Sequence, residues 1–290
     1  MTILITGATG QFGSIVARTL LESGLGEDLA VSVRNPDKAG ELKARGVDVR
    51  QGDFDDPASL SRAFAGVERL LLISATDDNA TRIRQHTTAV RAAQEAGVSF
   101  IAYTSIAGAD RNPLGLAEVH RATEEAIRAS GIAFAFLRNN WYLENELGYV
   151  QAALAGAPLR TATGEGKIGW ALRADYAQAA AAVMAGRGPE NAIYELSGPL
   201  ATYDDFATAL GQALGRQVDV EHIDEDAYSQ DLAASGLPGF LVPVFVENAR
   251  LIRQGALAVE SDDFARLLGR PVTPLPEAFQ QLIARVRSQA

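Results

Sequence analysis

Three glycines spaced three apart interrupt the first apolar run of the chain, in TGATGQFG (6–13). Gly7 permits a tight turn, Gly10 lets the backbone come close to a diphosphate, and Gly13 lets a following helix close down on the preceding strand. A helix opening at this point presents unpaired N–H groups and a partial positive charge, which is the chemistry of phosphate binding. The spacing is G-x-x-G-x-x-G, a variant of the more familiar G-x-G-x-x-G. Thr9, Gln11 and Phe12 fill the same turn and are expected to touch the same dinucleotide. The second recognition point lies about 20 residues beyond, where an acid would accept a hydrogen bond from a ribose 2′-hydroxyl. Here the segment reads VSVRNPDKA, with Arg34 at that point and Lys38 one turn later. A guanidinium cannot accept a hydrogen bond, but its fork of donors suits a 2′-phosphate. The expected cofactor is therefore NADP(H) in preference to NAD(H).

Other residues fall where a bound dinucleotide would continue. In GDFDD (52–56), Asp53 can hydrogen-bond an adenine and Phe54 can flank it, while Asp56 before Pro57 serves equally well as a helix N-cap. Ser74, Ala75 and Thr76 end an apolar strand near the expected nicotinamide ribose, and Thr104 ends the next. LRNNWYLENE (137–146) offers the Asn139 and Asn140 amides to a nicotinamide carboxamide or an acceptor oxygen, with Leu143 beside the cofactor. Trp141 and Tyr142 supply flat surfaces for a planar acceptor, although aromatic side chains also anchor cores. The catalytic candidates are His120, as a proton donor or cofactor contact, with Asn140 and Tyr142; a lone helical histidine also has an ordinary structural reading. Tyr103 is expected to pack. Lys167 and Trp170 are placed at the rim of the acceptor pocket, and Asp175 reads as an N-cap.

The elements that must carry these residues alternate in type. Short β-rich runs occur at 3–6, 29–33, 47–50, 69–74, 99–105 and 132–138, separated by helical spacing at 12–23, 37–45, 57–65, 79–96 and 116–130. Such alternation implies βαβ units and a parallel, doubly wound sheet of the Rossmann type. LLLI (70–73) is apolar throughout, as a strand covered on both faces requires. Gly24, Gly46, Gly66, Gly97 and Gly131 each follow a helical stretch and read as stops. Beyond Arg138 the spacing predicts a helix over 142–155, an alanine-rich helix from Asp175 and a further strand over 192–198. The expected division is a dinucleotide-binding domain over 1–155, joined by strand 192–198, and a smaller, mostly helical lobe over 156–290. PGFLVPVFV (238–246) reads most simply as core, and alternatively as a flap over an apolar substrate.

Bulk composition narrows the partners. The 290 residues are 47% hydrophobic and 21% charged, with a formal net charge of −10. That balance argues against nucleic-acid or anionic-membrane surfaces. No cysteine is present, so disulfides, thiolate metal sites and a cysteine nucleophile are excluded. The histidines have no ligand-spaced partners, and no metal site is expected. Neither a G-x-S-x-G elbow nor a P-loop occurs, since Gly166-Lys167 is followed by isoleucine. No apolar stretch approaches the ~20 residues of a spanning helix, and no basic, cleavable leader is visible, so a cytoplasmic location is expected.

TGATGQFG, VRNPDKA, GVERLLLIS, FIAYTS, PLGLAEVHRATEEAIRASGI and LRNNWYLEN together resemble the NmrA-like group of atypical short-chain dehydrogenases, and within it the branch that reduces quinones and triphenylmethane dyes. The resemblance runs from the first strand to RADYAQAAAA (173–182). It implies that Leu116 and His120 occupy the positions of the tyrosine and lysine that form the proton-transfer pair of the wider superfamily. Without that pair, simple carbonyl reduction lacks its positioned acid. Quinones and cationic dyes stabilise arriving electrons themselves, so a protein that positions donor and acceptor suffices. The resemblance thus implies direct hydride transfer from NADP(H) to a small aromatic or quinonoid acceptor. A non-catalytic NADP(H)-binding redox sensor is the alternative. Self-association is compatible with a homodimer.

Overall fold

The computed structural model of the protein describes residues 1–289. The chain runs β1 (Ile3–Thr6), α1 (Gln11–Glu22), β2 (Leu29–Val33), α2 (Gly40–Ala44), β3 (Asp48–Gln51), α3 (Pro57–Ala63), β4 (Arg69–Leu72), α4 (Asn79–Glu95), β5 (Phe100–Ile106), α5 (Ala117–Ser130) and β6 (Ala133–Asn139). It continues through β7 (Trp141–Tyr142), α6 (Leu147–Leu154), β8 (Leu159–Thr161), β9 (Trp170–Ala171), α7 (Arg173–Met184), β10 (Ala192–Leu196), α8 (Tyr203–Leu214), β11 (Val220–His222), α9 (Glu225–Ala234), α10 (Val242–Arg253), α11 (Asp263–Leu268) and α12 (Leu275–Gln289).

Seven strands form one parallel sheet in the order β10-β6-β5-β4-β1-β2-β3. The chain builds outward from β1 to β3, then crosses back so that β4 lies on the other side of β1. At that reversal the helices after β1 and β4 diverge and leave a crevice beyond the carboxyl ends of the two strands, the usual ligand site of open α/β sheets. Apolar side chains close both faces. Ile3, Ile5, Val31 and Leu71 pack with α1, α7 and α11 on one side. Leu4, Leu70, Leu72 and Ile101 pack with α3, α4 and α5 on the other. This double burial is why Leu70, Leu71 and Leu72 follow one another without a polar residue.

Gly24, Gly46, Gly66, Gly97 and Gly131 all have positive φ, as expected of residues that stop helices. The Asp56 carboxylate accepts from the Ala58 and Ser59 amides and caps α3 as expected, with Pro57 in its first turn.

A third apolar cluster, around Trp170, Tyr203, Phe206 and Phe279, forms the core of a lobe built largely from α6, α8, α10 and α12. The lobe meets the sheet along a seam beyond β10. Gly198 donates to the Gly169 carbonyl at 3.1 Å, and Ile168 and Ala201 exchange backbone hydrogen bonds at 2.9 and 3.0 Å.

Three expectations are corrected. The helix placed over 142–155 is broken: Trp141–Tyr142 pairs with β9, a 3-10 turn covers Leu143–Glu146, and α6 begins only at Leu147. Glu146 is drawn inward by lobe donors, and this interrupts the helical face. Asp175 is not an N-cap, because Leu172 holds that position and Asp175 lies buried in the first turn of α7. PGFLVPVFV reaches the core only through Val242: Phe240 is 78% exposed, and Val244 and Phe245 are exposed as well. The segment lies on the outer side of α10 and the turn leading into it.

Candidate cofactor and acceptor site

The glycine turn joins β1 to α1 at the crevice. Gly7 has φ +61°, and Gly10 donates to its carbonyl at 2.9 Å, closing the turn. A β-carbon on Gly10 would approach that carbonyl to 3.2 Å, and one on Gly13 would come within 2.4 Å of it. Gly10 is the N-cap of α1 and contributes no side chain, so the first helical N–H groups carry no side-chain cap. Thr9, Gly10 and Gln11 are exposed at the mouth, and Phe12 is buried behind them. A cradle of bare glycine backbone ending in uncapped donors fits a diphosphate.

Arg34 and Lys38 are both exposed just past β2. The Arg34 guanidinium has no hydrogen-bond partner among the described residues. It lies close enough to Asp55 to help hold that carboxylate below its usual range, after the larger contributions of hydrogen bonds from Arg84 and Gln85. Asp53 donates its amide to Ser59 Oγ at 2.9 Å, and half-buried Phe54 stands edge-on to His86 with ring centroids 6.3 Å apart.

Beyond β4 and β5 a buried polar cluster takes shape. Ser74 donates its amide to Thr104 Oγ1 at 2.9 Å, and Ala75 donates to His86 Nε2 at 3.0 Å. Thr76 is exposed at the rim. Arg82 Nη2 donates to Ser74 Oγ at 2.7 Å, while its Nε is buried without a partner. His86 Nδ1 lies 2.8 Å from Thr123 Oγ1, and the Tyr103 hydroxyl lies 2.9 Å from His120 Nδ1. Because Nε2 of His86 accepts from Ala75, its proton must sit on Nδ1. Burial, then the nearby Arg82 charge, pushes both His86 and His120 down to about 3, so both rings are neutral near pH 7. Burial pushes Tyr103 up to about 12. Tyr103 thus packs, as expected, but its hydroxyl also has a specific partner.

At the end of β6, Asn140 Nδ2 donates to Ser197 Oγ at 3.1 Å and to the Leu257 carbonyl at 2.9 Å. Asn139 Nδ2 donates to the Tyr142 hydroxyl at 2.9 Å. Both amide oxygens are buried without partners. The Leu257 carbonyl requires a donor, which sets the orientation of the Asn140 amide. The unmatched group of Asn140 is therefore an acceptor, which suits the N–H₂ of a carboxamide, whereas the Tyr142 hydroxyl can donate or accept and leaves the Asn139 amide free to present either end. Tyr142 sits between Phe12 and Tyr176, with the Arg173 guanidinium 5.1 Å from its ring centre. Burial first of all pushes its hydroxyl up to about 12. Arg173 also reaches the Gln11 side chain, tying the glycine turn to the segment before α7.

Trp141 is half-buried and donates from Nε1 to Glu146 at 2.8 Å. Lys167 is exposed in the loop before the seam. Two residues expected at the site lie elsewhere. Trp170 is 1% exposed, donates to Glu146 at 3.2 Å and packs on Tyr203 and Phe206, so its ring belongs to the lobe core. Leu143 is fully buried in the same cluster. The residues that sequence reasoning missed are Ser197, Arg82 and Glu146. An arginine inside the amphipathic pattern of α4 was the one available signal. Among the described residues, no three His, Asp or Glu side chains gather as metal ligands.

The model of the NmrA-like family matches residues 1–253. The chain belongs to the NmrA-like family. It is 42% identical to quinone oxidoreductase 2 of Escherichia coli over 97% of this chain and 98% of that protein. Its structure is similar to that of the E. coli NADPH-dependent quinone oxidoreductase complexed with NADPH, with a TM-score of 0.92, 41% identity, and 97% and 100% of the two chains covered. It is equally similar to the Citrobacter sp. triphenylmethane reductase complexed with NADP(H), with a TM-score of 0.92, 37% identity and the same coverage. For this NmrA-like chain, the likeness extends through the lobe as well as the sheet. No helix among the described residues is long and apolar enough to cross a membrane.

Proposed function

We propose that this chain is an NADPH-dependent oxidoreductase that passes hydride directly to quinones or similarly conjugated electrophiles. The observation that carries the reading is the near-full-length, 42% identity to an E. coli quinone oxidoreductase. The site agrees with it in chemistry. The glycine turn and the uncapped start of α1 would hold the diphosphate, Arg34 and Lys38 the 2′-phosphate, and the buried amides of Asn139 and Asn140 the carboxamide. When bound, the cofactor supplies the hydride. The protein's part is to orient the reactants, exclude water and offer Trp141 as a flat surface for the acceptor.

Leu116 stands exposed at the N-cap of α5, where the wider superfamily places its tyrosine acid, and it cannot transfer a proton. This supports acceptors that stabilise the incoming electrons on their own. Purified protein mixed with NADPH and a panel of quinones should consume the reduced nicotinamide far above the uncatalysed rate. Tight NADPH binding with no turnover across the panel would instead identify a redox sensor.

A further inference from the structure

The geometry points to Tyr103 and His120 as a two-residue proton relay that serves the acceptor oxygen, with Arg82 compensating the charge left behind. This inference rests on the hydride-transfer reading above. It turns on which atom of the Tyr103–His120 pair carries the proton.

Tyr103 is fully buried, and its hydroxyl lies 2.9 Å from His120 Nδ1, with the Thr123 and Ser74 hydroxyls also near enough to favour its ionised form; the Thr123 hydroxyl proton is already given to the Val119 carbonyl, and Ser74 Oγ already accepts from Arg82. A buried hydroxyl proton needs an acceptor. Tyr103 therefore donates, Nδ1 accepts, and the proton of the neutral imidazole resides on Nε2. That Nε2–H has no partner within the described residues. Through Tyr103 the ring joins the polar cluster behind the carboxyl edge of β4, where Arg82 holds Ser74 and His86 holds the Ala75 amide; in the relay its N–H is the end that meets the acceptor.

The balance of the step is simple. Hydride brings one proton and two electrons to a quinone, leaving a hydroquinone monoanion that lacks one proton on oxygen. The N–H bond at His120 Nε2 breaks as the new O–H bond forms. The Tyr103 O–H bond breaks as an N–H bond forms at Nδ1, so the imidazole stays neutral throughout and the negative charge ends on the phenol oxygen. Water returns the proton after product leaves. Neither an imidazolium nor a charged histidine base is needed, which suits a ring whose charged form is strongly disfavoured by burial.

Burial pushes the Tyr103 hydroxyl up to about 12, against the phenolate, and Arg82 offsets part of that cost. Arg82 is 7% exposed, its Nε has no partner, and among the described residues no carboxylate forms an ion pair with it. A buried, unpaired guanidinium is costly to keep. Its charge favours ionisation of Tyr103 and disfavours protonation of both histidines. The cluster thus performs the task of a tyrosine–lysine pair with a different tyrosine, on a strand, and an arginine from α4.

The test compares two acceptors. A quinone needs hydride and a proton; a cationic triphenylmethane dye needs hydride alone. In single-turnover mixing, Tyr103→Phe and His120→Asn should each lower the quinone-to-dye rate ratio about 100-fold, the scale of general acid catalysis. Wild-type quinone reduction should show a solvent deuterium effect with a curved proton inventory, and dye reduction a flat one. In the protein without cofactor, ¹⁵N spectra should show His120 protonated on Nε2, with the Nδ1 resonance moved by Tyr103→Phe. An unchanged ratio, a linear inventory or an Nδ1-protonated ring would overturn the relay. A wild-type protein that reduces neither acceptor would overturn the hydride reading, and the relay with it.

Discussion

A β-carbon on Gly13 would stand 2.4 Å from the Gly7 carbonyl oxygen and 2.8 Å from the Ala8 α-carbon. Both neighbours are backbone atoms, so neither can swing aside. The contact between α1 and the end of β1 is therefore set by the missing side chain, and the donors at the helix start are aimed by it. Gly13→Ala should displace the helix start, cost about 1–3 kcal/mol of stability and weaken NADPH by at least tenfold. Calorimetric titration beside a thermal melt separates the two effects.

Arg34 has no hydrogen bond to give up, so its removal should leave the fold intact. Arg34→Ala should weaken NADPH about 10–100-fold, the worth of one or two charge-assisted hydrogen bonds, and leave NADH nearly unchanged. Equal losses for both dinucleotides would refute a 2′-phosphate contact.

The two tryptophans should part company. Trp170→Ala removes a fully buried indole from the lobe and should cost about 3–5 kcal/mol, visible as a large fall in Tm. Trp141→Ala should spare most of the stability and raise KM for planar acceptors while NADPH affinity holds. Steady-state kinetics on both variants checks the contrast.

Asp175 accepts from Arg270 at 2.5 Å, from the Thr273 amide at 3.0 Å and from its hydroxyl at 3.2 Å. It joins α7 to the segment leading into α12. Asp175→Ala leaves the half-buried Thr273 amide unmatched, and Arg270, about two-fifths exposed, regains water. The expected loss is about 2–3 kcal/mol, measured by chemical denaturation, with Kd for NADPH little altered.

Acid should destabilise the protein through His86 and His120. Both are held near 3 when folded, against an ordinary value of 6.5, so the unfolded chain binds more protons between those limits. Stability is complete above about pH 6.5 and falls as pH drops toward 3. Replacing either histidine with asparagine should flatten the slope of unfolding free energy between pH 6 and about 4. A wild-type curve that is flat over this range would contradict the burial of neutral rings.

The sheet was readable because its rules are local. Alternation of apolar runs with helical spacing, glycines after helices and Asp56 before Pro57 each act within a few residues, and all appear where expected. The same holds for the glycine turn. The polar cluster was not readable in this way. Tyr103 and His120 are 17 residues apart, and Arg82 meets Ser74 only because α4 turns that face toward the end of β4. Pattern shows that a face is amphipathic, but not which polar group it brings to a strand end.

Aromatic residues misled for a related reason. Trp141 and Trp170 both donate to Glu146, yet only Trp141 retains an open face. Their shared carboxylate, buried in the lobe without a cation, could not be foreseen from ENE. Phe240 and Phe245 failed in the opposite direction: a dense apolar run promises burial only if enough partner surface exists, and α10 meets too little of it.

The seam beyond β10 also bears on how an acceptor arrives. A β-carbon on Gly169 or Gly198 would sit 1.9 Å from the opposing chain, and neighbouring residues exchange paired backbone bonds across it. Two jaws able to swing apart could not be built with such close contact at their root. The spacing of lobe and sheet at this seam is therefore decided at folding, and under the proposed function admission would depend on a guest's thickness.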